Sequence, residues 1–432
     1  MRFYSTSHKS PDVSLREAVL QGIPDDGGLY MPEKFPEMPN KFFQGIGDLS
    51  FRDIAFQVAK TLLGDDLSES VLQEIIEDAI NFDAPLVQIT EDISTLELFH
   101  GPTLAFKDFG ARFMARLFSH FIQNNDQELT ILVATSGDTG SAVAHGFYRA
   151  PGVRVVILYP ANKVSRIQEQ QITTLGENIT TLEIDGTFDD CQQLVKSAFT
   201  DLTLNETLQL TSANSINIAR LIPQSFYYFY GYAQLPDKSN PVVISVPSGN
   251  YGNLTAGLIA KKMGLPIHRF LAASNANDVV PEYLQSGEFN PRPSVETISN
   301  AMDVGNPSNF ARIVDLYKQD IGAIRQDISG VSFTDDETRD AIQKVDSKYN
   351  YTMDPHGAVG FLALRNYLQS HNHNFSGIFL ETAHPAKFLE HVQPLVNHDV
   401  EIPQRLQTSL EKEKKSILME SSLEDLRAFL LD

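Results

Sequence analysis

The segment VVISVPSGNYGNLTAGLIAKKMG (residues 242–264) contains a β-branched apolar run, then a loop of glycine, serine and asparagine, then an alanine-rich helical pattern. The same order recurs in LTILVATSGDTGSAVAHGFYRA (129–150) and in GIFLETAHPAKFLEHV (377–392). Continuous apolar strands that alternate with helices are typical of a parallel sheet covered on both faces. The pattern therefore predicts an α/β fold with open, mostly parallel sheets. Ligands of such sheets bind beyond the carboxyl ends of the strands, where these loops lie.

The composition is that of an ordinary soluble protein, with 432 residues of which 42% are apolar and 21% are charged. The formal net charge of −21 argues against nucleic acid or an anionic membrane as a partner, because phosphate binding needs a basic surface.

A single cysteine, Cys191, excludes an intrachain disulfide and a cysteine zinc cluster. The N-terminus lacks the apolar core of a signal peptide, and no apolar run reaches the roughly 18 residues of a membrane span. We therefore expect a cytoplasmic protein.

The chain divides into four predicted regions. Residues 1–95 have a mostly helical pattern broken by proline-rich loops, and they predict an N-terminal subdomain. Residues 96–235 and 236–395 contain the strand–loop–helix segments, and each predicts an α/β region. Residues 396–432 form a charged tail that ends in an amphipathic helix.

The loop PSGNYGN (247–253) suits an anionic ligand. Its two glycines let the backbone approach a ligand closely, and the helix predicted from about Leu254 presents N–H groups at its N-terminus. The serine and the two asparagines add side-chain donors. The same residues also suit a simple strand–helix turn with a cap, so the loop alone leaves both interpretations open. The chain has neither a G-x-x-x-x-G-K-[ST] nor a G-x-G-x-x-G motif, which favours a compact phosphorylated cofactor over a nucleotide.

The loop TSGDTGS (135–141) is a second candidate for anion binding. Thr135, Ser136 and Thr139 offer hydroxyl groups, and the helix predicted from near Ser141 offers N–H groups. A substrate carboxylate would suit this loop. An equally open interpretation is that these residues only cap the helix.

Lys107 lies in FHGPTLAFKDFG (99–110), directly after Phe106 and other apolar residues. Shelter from water disfavours the charged form of a lysine and makes its amine nucleophilic. Such lysines form Schiff bases with carbonyl compounds, pyridoxal phosphate among them. A single lysine more often covers apolar surface with its stem while its head reaches water. The presence of a phosphate-competent loop and a carboxylate-competent loop in the same α/β chain favours the reactive role.

Five ordered segments resemble the motifs of the threonine synthase family of fold-type II pyridoxal-phosphate enzymes: HGPTLAFKDFGARF, ATSGDTGSA, SANSINIARL, VPSGNYGNLTAG and ETAHPAKF. The N-terminal STSHKSPDVSLREAVLQGIPDDGGLYMPE and ISNAMDVGNPSNFAR (298–312) also resemble this family. The resemblance covers about residues 4–390. It implies a fold-type II architecture of two open α/β domains with a helical N-terminal subdomain. A smaller, mobile domain that binds the substrate carboxylate would lie within 96–235, and the phosphate loop would belong to 236–395.

The resemblance implies pyridoxal 5′-phosphate as the cofactor and assigns residues to it. Lys107 would carry the Schiff base and then act as an acid and a base. Thr382 would hydrogen-bond the pyridine nitrogen through a neutral hydroxyl. The cofactor phosphate would be held by Ser248, Gly249, Asn250, Tyr251, Gly252 and Asn253.

The resemblance also assigns substrate-binding residues. The substrate carboxylate would be held by Thr135, Ser136 and Thr139. A phosphorylated substrate needs cations as well as helix N-termini, and lysine or arginine side chains supply them. The candidates for that role are Lys163, Arg166, Arg220 and Lys387.

Asp138 departs from the pattern S-G-N-T-G of relatives outside this family, in which the asparagine contacts the 3′-oxygen of the cofactor. An ionised aspartate cannot donate to a phenolate oxygen, so Asp138 would need a proton or a different role. Asn214, in SANSIN, is a candidate substitute donor.

The implied reaction converts O-phospho-L-homoserine and water to L-threonine and phosphate by β,γ-elimination and replacement, the last step of threonine biosynthesis. The alternatives are a related fold-type II lyase, such as a serine/threonine dehydratase or an amino-acid phospho-lyase, and a non-catalytic relative. The N-terminal segment and the spelling SGDTG favour the first reaction. The sequence leaves the oligomeric state open.

Overall fold

The computed structural model describes residues 1–123, 128–135, 137–371 and 373–432. The chain forms two units. The larger unit contains Met31–Phe106 and Leu221–Glu401 together with Met1, and the smaller unit contains Arg2–Tyr30, Lys107–Arg220 and Ile402–Asp432. Each unit thus combines segments that are distant in sequence. The serial boundaries proposed above, near 95, 235 and 395, stay a prediction.

The strands of both units are short and largely buried. In chain order they are β1 Phe3–Ser5, β2 Tyr30–Pro32, β3 Leu86–Gln88, β4 Ile93–Glu97, β5 Leu129–Ala134, β6 Val153–Pro160, β7 Ile179–Asp185, β8 Gln209–Ser212, β9 Val242–Pro247, β10 Ile267–Ser274, β11 Ile328–Ser332, β12 Ser376–Glu381 and β13 Ile417–Glu420. Every residue of β5 and of β9 is buried. Helices cover both faces of such a sheet, so a strand in its interior needs apolar side chains on both sides, which these continuous apolar runs supply.

The α-helices surround these strands. In chain order they are α1 Leu15–Gln21, α2 Asn40–Gly45, α3 Phe51–Leu63, α4 Glu69–Ala79, α5 Lys107–Ile122, α6 Asp138–Phe147, α7 Arg166–Thr173, α8 Phe188–Thr200, α9 Leu202–Thr207, α10 Ile218–Leu221, α11 Gln224–Ala233, α12 Gly252–Lys262, α13 Val279–Ser286, α14 Phe310–Leu316, α15 Ile321–Asp327, α16 Asp335–Tyr349, α17 Pro355–Ser370, α18 Leu389–Val392, α19 Gln404–Leu410 and α20 Leu423–Leu431. Short 3₁₀ helices span Ile46–Asp48, Asn300–Met302, Pro385–Phe388 and Gln393–Leu395. None of the helices in the described ranges has the length and apolar character that a membrane crossing requires.

The larger unit is built on a six-stranded sheet in the order β11-β10-β9-β12-β4-β3. All neighbouring strands are parallel except β3 and β4, which are antiparallel. Ile244 of β9 pairs with Phe270 on one side and with Ile378 on the other, which fixes the register at the centre of the sheet. The carboxyl ends of β9, β12 and β4 therefore meet at one edge.

The smaller unit is built on a fully parallel five-stranded sheet in the order β13-β7-β6-β5-β8. Apolar residues of β5, β6 and β7 form one buried cluster with α8 and α20. The helix predicted at the C-terminus is α20, and its first turn is capped by Ser422. The predicted α/β class with mostly parallel sheets and a helical N-terminal region is confirmed.

Candidate active site

Three of the predicted segments leave the six-stranded sheet at the same edge. Residues 98–106 follow β4, residues 382–388 follow β12, and residues 248–253 follow β9. Because β4, β12 and β9 are neighbours and parallel, their carboxyl ends are adjacent. The topology thus brings the phosphate-loop candidate, Thr382 and the residues before Lys107 to one side of the larger unit.

The segment that precedes Lys107 is tied to the segment that contains Thr382. The N–H of Phe106 donates to the Thr382 carbonyl at 2.9 Å, and Ala105 and Ala383 form an antiparallel bridge. Lys107 follows immediately as the first residue of α5, with a half-buried side chain. The backbone that leads up to Lys107 is therefore fixed within the larger unit by backbone hydrogen bonds, which do not depend on any particular side chain.

The loop after β9 turns directly into α12. Tyr251 at the N-cap has a left-handed φ of 61°, so the helix begins at Gly252, two residues before the predicted start. No side chain of the described residues caps this helix, which leaves its first-turn N–H groups available to a ligand. The Ser248 hydroxyl donates to the Val246 carbonyl at 2.8 Å, and the Tyr251 hydroxyl contacts the Ser274 hydroxyl at 2.9 Å.

Asn253, in the first turn of α12, presents a fixed amide donor. Its Oδ1 accepts hydrogen bonds from the hydroxyls of Tyr227 and Tyr228, each at 2.6 Å. Burial raises the pKa of both phenols well above the ordinary value, so both stay protonated donors. The Nδ2 of Asn253 is buried and has no hydrogen-bond partner among the described residues. A buried, unsatisfied donor at an uncapped helix N-terminus is suited to an anion.

The loop at residues 247–253 packs against the 3₁₀ helix at Asn300–Met302. A Cβ on Gly249 would lie 2.7 Å from the carbonyl oxygen of Ala301 and 2.7 Å from the Cα of Met302, so only glycine fits. The N–H of Ser308 donates to Asn250 Oδ1 at 2.6 Å. The segment ISNAMDVGNPSN (298–309) therefore packs against this loop and supports it.

Asp303 organises that supporting turn. Its Oδ1 accepts from the Thr297 hydroxyl at 2.7 Å, from Asn275 Nδ2 at 2.9 Å and from Asn277 Nδ2 at 3.1 Å. Its Oδ2 accepts from the Thr297 N–H at 2.9 Å. Burial raises the pKa of Asp303 to about 6, although these hydrogen bonds and the charge of His356 act in the opposite direction.

Thr382 is buried and directly follows Glu381, a carboxyl group that is fully buried. Burial, together with the neighbouring Asp354, raises the pKa of Glu381 well above its ordinary value. Glu381 Oε1 accepts from the Asp354 N–H at 2.6 Å, and Asp354 in turn accepts from the His356 ring. His356 Nε2 accepts from the Ala301 N–H at 3.2 Å. The hydrogen bonds of Glu381, Asp354 and His356 therefore extend to the turn that packs against Gly249.

The loop after β5 in the smaller unit uses its polar groups internally. The Thr135 hydroxyl accepts from the N–H groups of Gly137 at 3.0 Å and Gly140 at 2.8 Å. Thr139 is half-buried, and Ser136 lies outside the described residues. The helix α6 begins at Asp138, earlier than the predicted start near Ser141, because a carboxylate is favourable in a first turn.

Asp138 and Asn214 follow neighbouring strands but have different partners. Asp138 is buried, and its Oδ1 accepts from Gln168 Nε2 at 3.0 Å. Asn214, which follows β8, donates from Nδ2 to the carbonyl of Ala134 at 2.9 Å. The carboxylate of Asp138 thus has a donor within the protein. The cofactor roles of Asp138 and Asn214 stay predictions.

The four cations predicted for the substrate phosphate fall into two classes. Lys163 and Arg166 are exposed and follow β6, whose carboxyl end adjoins that of β5. Arg220 and Lys387 are buried and donate to backbone carbonyls: Arg220 Nη1 to Ala213 at 2.6 Å and Lys387 Nζ to Thr103 at 2.9 Å. The exposed pair is the better placed for a soluble ligand, although the role of all four stays a prediction.

Several side chains that contact or support the candidate residues of either unit were missed by the sequence analysis. The most informative are Tyr227, Tyr228, Asp303, Glu381 and Gln168. The motif ISNAMDVGNPSN could have indicated Asp303, because a single carboxylate among asparagines and a threonine predicts a hydrogen-bonded turn. Tyr227 and Tyr228 lie in an ordinary aromatic helix, whose sequence gives no signal of the contact with Asn253.

The donors around residues 248–253 fit a phosphate group. The loop contains no carboxylate, its helix lacks a side-chain cap, and the Asn253 amide has a buried donor without a partner in the described structure. A bound phosphate needs several N–H or O–H donors close to it. Such donors can bind the anion even when the protein as a whole has a net negative charge.

Family models match most of the chain. The model described as pyridoxal-phosphate dependent enzyme matches residues 93–374, that for the threonine synthase N terminus matches residues 2–80, and that for the C-terminal part of threonine synthase matches residues 357–430.

Full-length relatives and solved structures agree with these models. The chain is 44% identical to threonine synthase of Serratia marcescens over 432 residues, which cover 100% of this chain and 99% of that protein. The crystal structure of threonine synthase from Escherichia coli matches with a TM-score of 0.93 and 43% identity, covering 100% of this chain and 99% of that one. The structure of PLP-bound threonine synthase from Brucella melitensis matches with a TM-score of 0.93 and 33% identity, covering 100% and 98%.

Proposed function

The chain belongs to the threonine synthase family of pyridoxal-phosphate-dependent enzymes, and we propose that it converts O-phospho-L-homoserine and water to L-threonine and phosphate. Its cofactor is pyridoxal phosphate. The observation that best supports the proposal within the molecule is the buried amide donor of Asn253 at the uncapped N-terminus of α12. This donor and the first-turn N–H groups of α12 would hold the cofactor phosphate, with Ser248, Gly249 and Asn250 completing the loop.

Lys107 is the proposed catalytic residue. Bound pyridoxal phosphate stabilises negative charge on the substrate carbons next to the amine and so makes their protons removable. The amine of Lys107 would hold the cofactor before the substrate enters. Once the substrate has taken that place, the free amine could accept the proton from Cα and deliver a proton to Cγ. The Thr382 hydroxyl would hydrogen-bond the pyridine nitrogen without transferring a full charge to it.

The substrate carboxylate and phosphate need separate partners. The hydroxyls of Thr135, Ser136 and Thr139 and the N-terminus of α6 would hold the carboxylate. Lys163 and Arg166 are exposed, so they would meet an entering phosphate without the cost of uncovering a buried cation. Phosphate would leave from Cγ and water would add at Cβ, so the site must admit one water molecule and release the anion.

The direct test measures both products. Purified protein with pyridoxal phosphate is given O-phospho-L-homoserine, and threonine and inorganic phosphate are quantified in the same samples. We expect one phosphate for each threonine. Lys107→Ala should abolish both products and remove the cofactor that borohydride fixes to the protein, whereas the exposed control Lys348→Ala should change neither.

Other outcomes identify the alternatives. Formation of a 2-oxo acid and ammonia from serine or threonine, without threonine from the phosphorylated substrate, would establish a dehydratase. Release of phosphate without threonine would establish a phospho-lyase. A protein that binds the cofactor at Lys107 but turns over none of these compounds would be a non-catalytic relative.

A further inference from the structure

The first turn of α5 carries a buried charge next to Lys107. Asp108, the second residue of the helix, is fully buried, and Arg220 is 2% exposed. Both residues belong to the smaller unit, as does Lys107. Burial lowers the pKa of Arg220 to about 10, and the charge of Asp108 acts in the opposite direction, so the two side chains interact electrostatically. A buried carboxylate requires such a partner.

Arg220 also approaches α5 closely with its backbone carbonyl and its Nε. A Cβ placed on Gly110 would lie 2.7 Å from the carbonyl oxygen of Arg220 and 2.9 Å from its Nε. The first turn of α5 therefore lies against Arg220 as closely as a glycine allows. The electrostatic interaction with Asp108 and the close approach at Gly110 restrain the helix at two residues within one turn of Lys107.

The other end of Arg220 is anchored. Its Nη1 donates to the carbonyl of Ala213 at 2.6 Å, and its N–H donates to the carbonyl of Asn217 at 3.0 Å. Asn217 is itself fixed, because its Nδ2 donates to the carbonyls of Val19 at 2.9 Å and Ser212 at 3.2 Å. Arg220 thus connects the start of α5 to the segment 212–217, which is held in turn by the N-terminal helix α1.

These contacts conflict with a role for Arg220 at the substrate phosphate. A guanidinium that binds an incoming dianion needs open donors, whereas that of Arg220 is buried and engaged with Ala213 and Asp108. Lys163 and Arg166, by contrast, are exposed.

We propose that Arg220 is a positioning residue for Lys107: through Asp108 and Gly110 it fixes the first turn of α5, and with it the lysine amine, and it does not bind the substrate phosphate. The inference rests on the proposed role of Lys107 as the cofactor lysine. It predicts that variants of this cluster impair the attachment of cofactor to Lys107 even when no substrate is present.

The test uses the full chain freed of cofactor with hydroxylamine. Pyridoxal phosphate is added without substrate, and the rate of its attachment to Lys107 is followed by visible absorption and by borohydride fixation located by peptide mass spectrometry. Arg220→Lys and Gly110→Ala should slow attachment at least tenfold and lower kcat to a similar extent, while the KM for O-phospho-L-homoserine changes less than threefold. Asp108→Asn preserves the side-chain volume and should slow attachment less.

Matched controls separate positioning from general stability. Gly45→Ala adds a Cβ where no atom lies within 4 Å, and Arg339→Lys alters only two surface ion pairs, so both should leave attachment unchanged. Thermal unfolding is measured for every variant. If Arg220→Lys or Gly110→Ala does not fold, the isosteric Asp108→Asn decides the test.

Two results would overturn the inference. A KM raised tenfold or more with normal attachment at Lys107 would make Arg220 a substrate ligand. A lowered melting temperature with normal attachment would make the cluster merely structural. The attachment assay needs no turnover, so wild-type protein that fixes cofactor on Lys107 but forms no threonine would refute the proposed reaction and leave this inference intact. Fixation on another lysine would refute the assignment of Lys107.

Discussion

The two anion-competent loops, 248–253 in the larger unit and 135–141 in the smaller one, both join a buried parallel strand to a helix, yet they use their polar groups in opposite ways. In the first loop the helix is uncapped and Asn253 Nδ2 has no partner in the described structure. In the second loop the Thr135 hydroxyl bonds backbone N–H groups, and Asp138 accepts from Gln168.

The difference suggests a division between a permanent and a transient ligand. A cofactor that stays bound is served best by donors that are fixed before it arrives, since no internal bond must then be broken. A substrate that enters and leaves can be bound by groups that exchange internal bonds for bonds to the ligand. The following predictions test whether the first loop is rigid and prearranged and the second is not.

The largest effect is expected at the Asn253 amide. Asn253→Asp keeps the shape but replaces the free donor with a carboxyl oxygen that repels phosphate. The affinity for pyridoxal phosphate should fall by about 3 kcal/mol, roughly a hundredfold in dissociation constant. Equilibrium titration of the cofactor-free chain measures this loss. The exposed Asn397→Asp serves as the control, and an unchanged dissociation constant would remove Asn253 from the phosphate site.

The segment that packs against the first loop, residues 298–309, contains a titratable group, Asp303. Its folded-state pKa of about 6 lies above the unfolded value of about 3.9, so the folded state binds the proton more tightly. The contribution of Asp303 to the free energy of unfolding is therefore greatest below pH 4 and is lost as the pH rises through 6, by about 3 kcal/mol in total.

Denaturant unfolding of the wild type and Asp303→Asn across this pH range tests the linkage. The stability of the wild type relative to the variant should decline between pH 4 and about pH 7 and stay constant above that range. Asp336→Asn, at a side chain that is 97% exposed, should show no such decline. A difference that is independent of pH would mean that Asp303 titrates near its ordinary pKa.

A smaller effect is expected at the tyrosines that orient the amide. Tyr227→Phe with Tyr228→Phe removes both donors to Asn253 Oδ1 and lets the amide rotate. The cofactor should bind about tenfold more weakly, and each single variant should lose less because the other hydroxyl remains. Tyr232→Phe, in the same helix, is the matched control. If the double variant binds as tightly as the wild type, the amide is oriented by the ligand itself.

The sequence predicted those features of the two loops that depend on the order of neighbouring residues along the chain. The apolar runs of β5, β9 and β12 predicted parallel sheets, which the structure has, whereas the binding of ligands at the loops after them stays a prediction. Helix starts were less accurate. The left-handed φ of Tyr251 moves the start of α12 to Gly252, and a tyrosine in that conformation has no sequence signature.

What the sequence could not predict are contacts between residues distant along the chain. Asn253 is held by tyrosines 25 and 26 residues away, and Gly249 packs on a turn more than 50 residues later. Arg220 shows the same difficulty: its charge suggested a phosphate ligand, but charge alone says nothing about burial. Its interaction with Asp108 and its close approach to Gly110 join segments that are distant along the chain.

The smallest effect is expected in the second loop, where Gln168 holds Asp138. Gln168→Leu keeps the volume and removes the donor, so the Asp138 carboxylate must find water or a ligand instead. If the internal bonds of this loop are exchanged during each turnover, the KM for O-phospho-L-homoserine should change by about threefold, since one hydrogen bond is worth ~1 kcal/mol or less here. The dissociation constant of pyridoxal phosphate should stay the same. Gln193→Leu, on an exposed face of α8, is the control. A large loss of cofactor affinity would instead make Asp138 part of the cofactor site, and both loops would then be permanent binding elements.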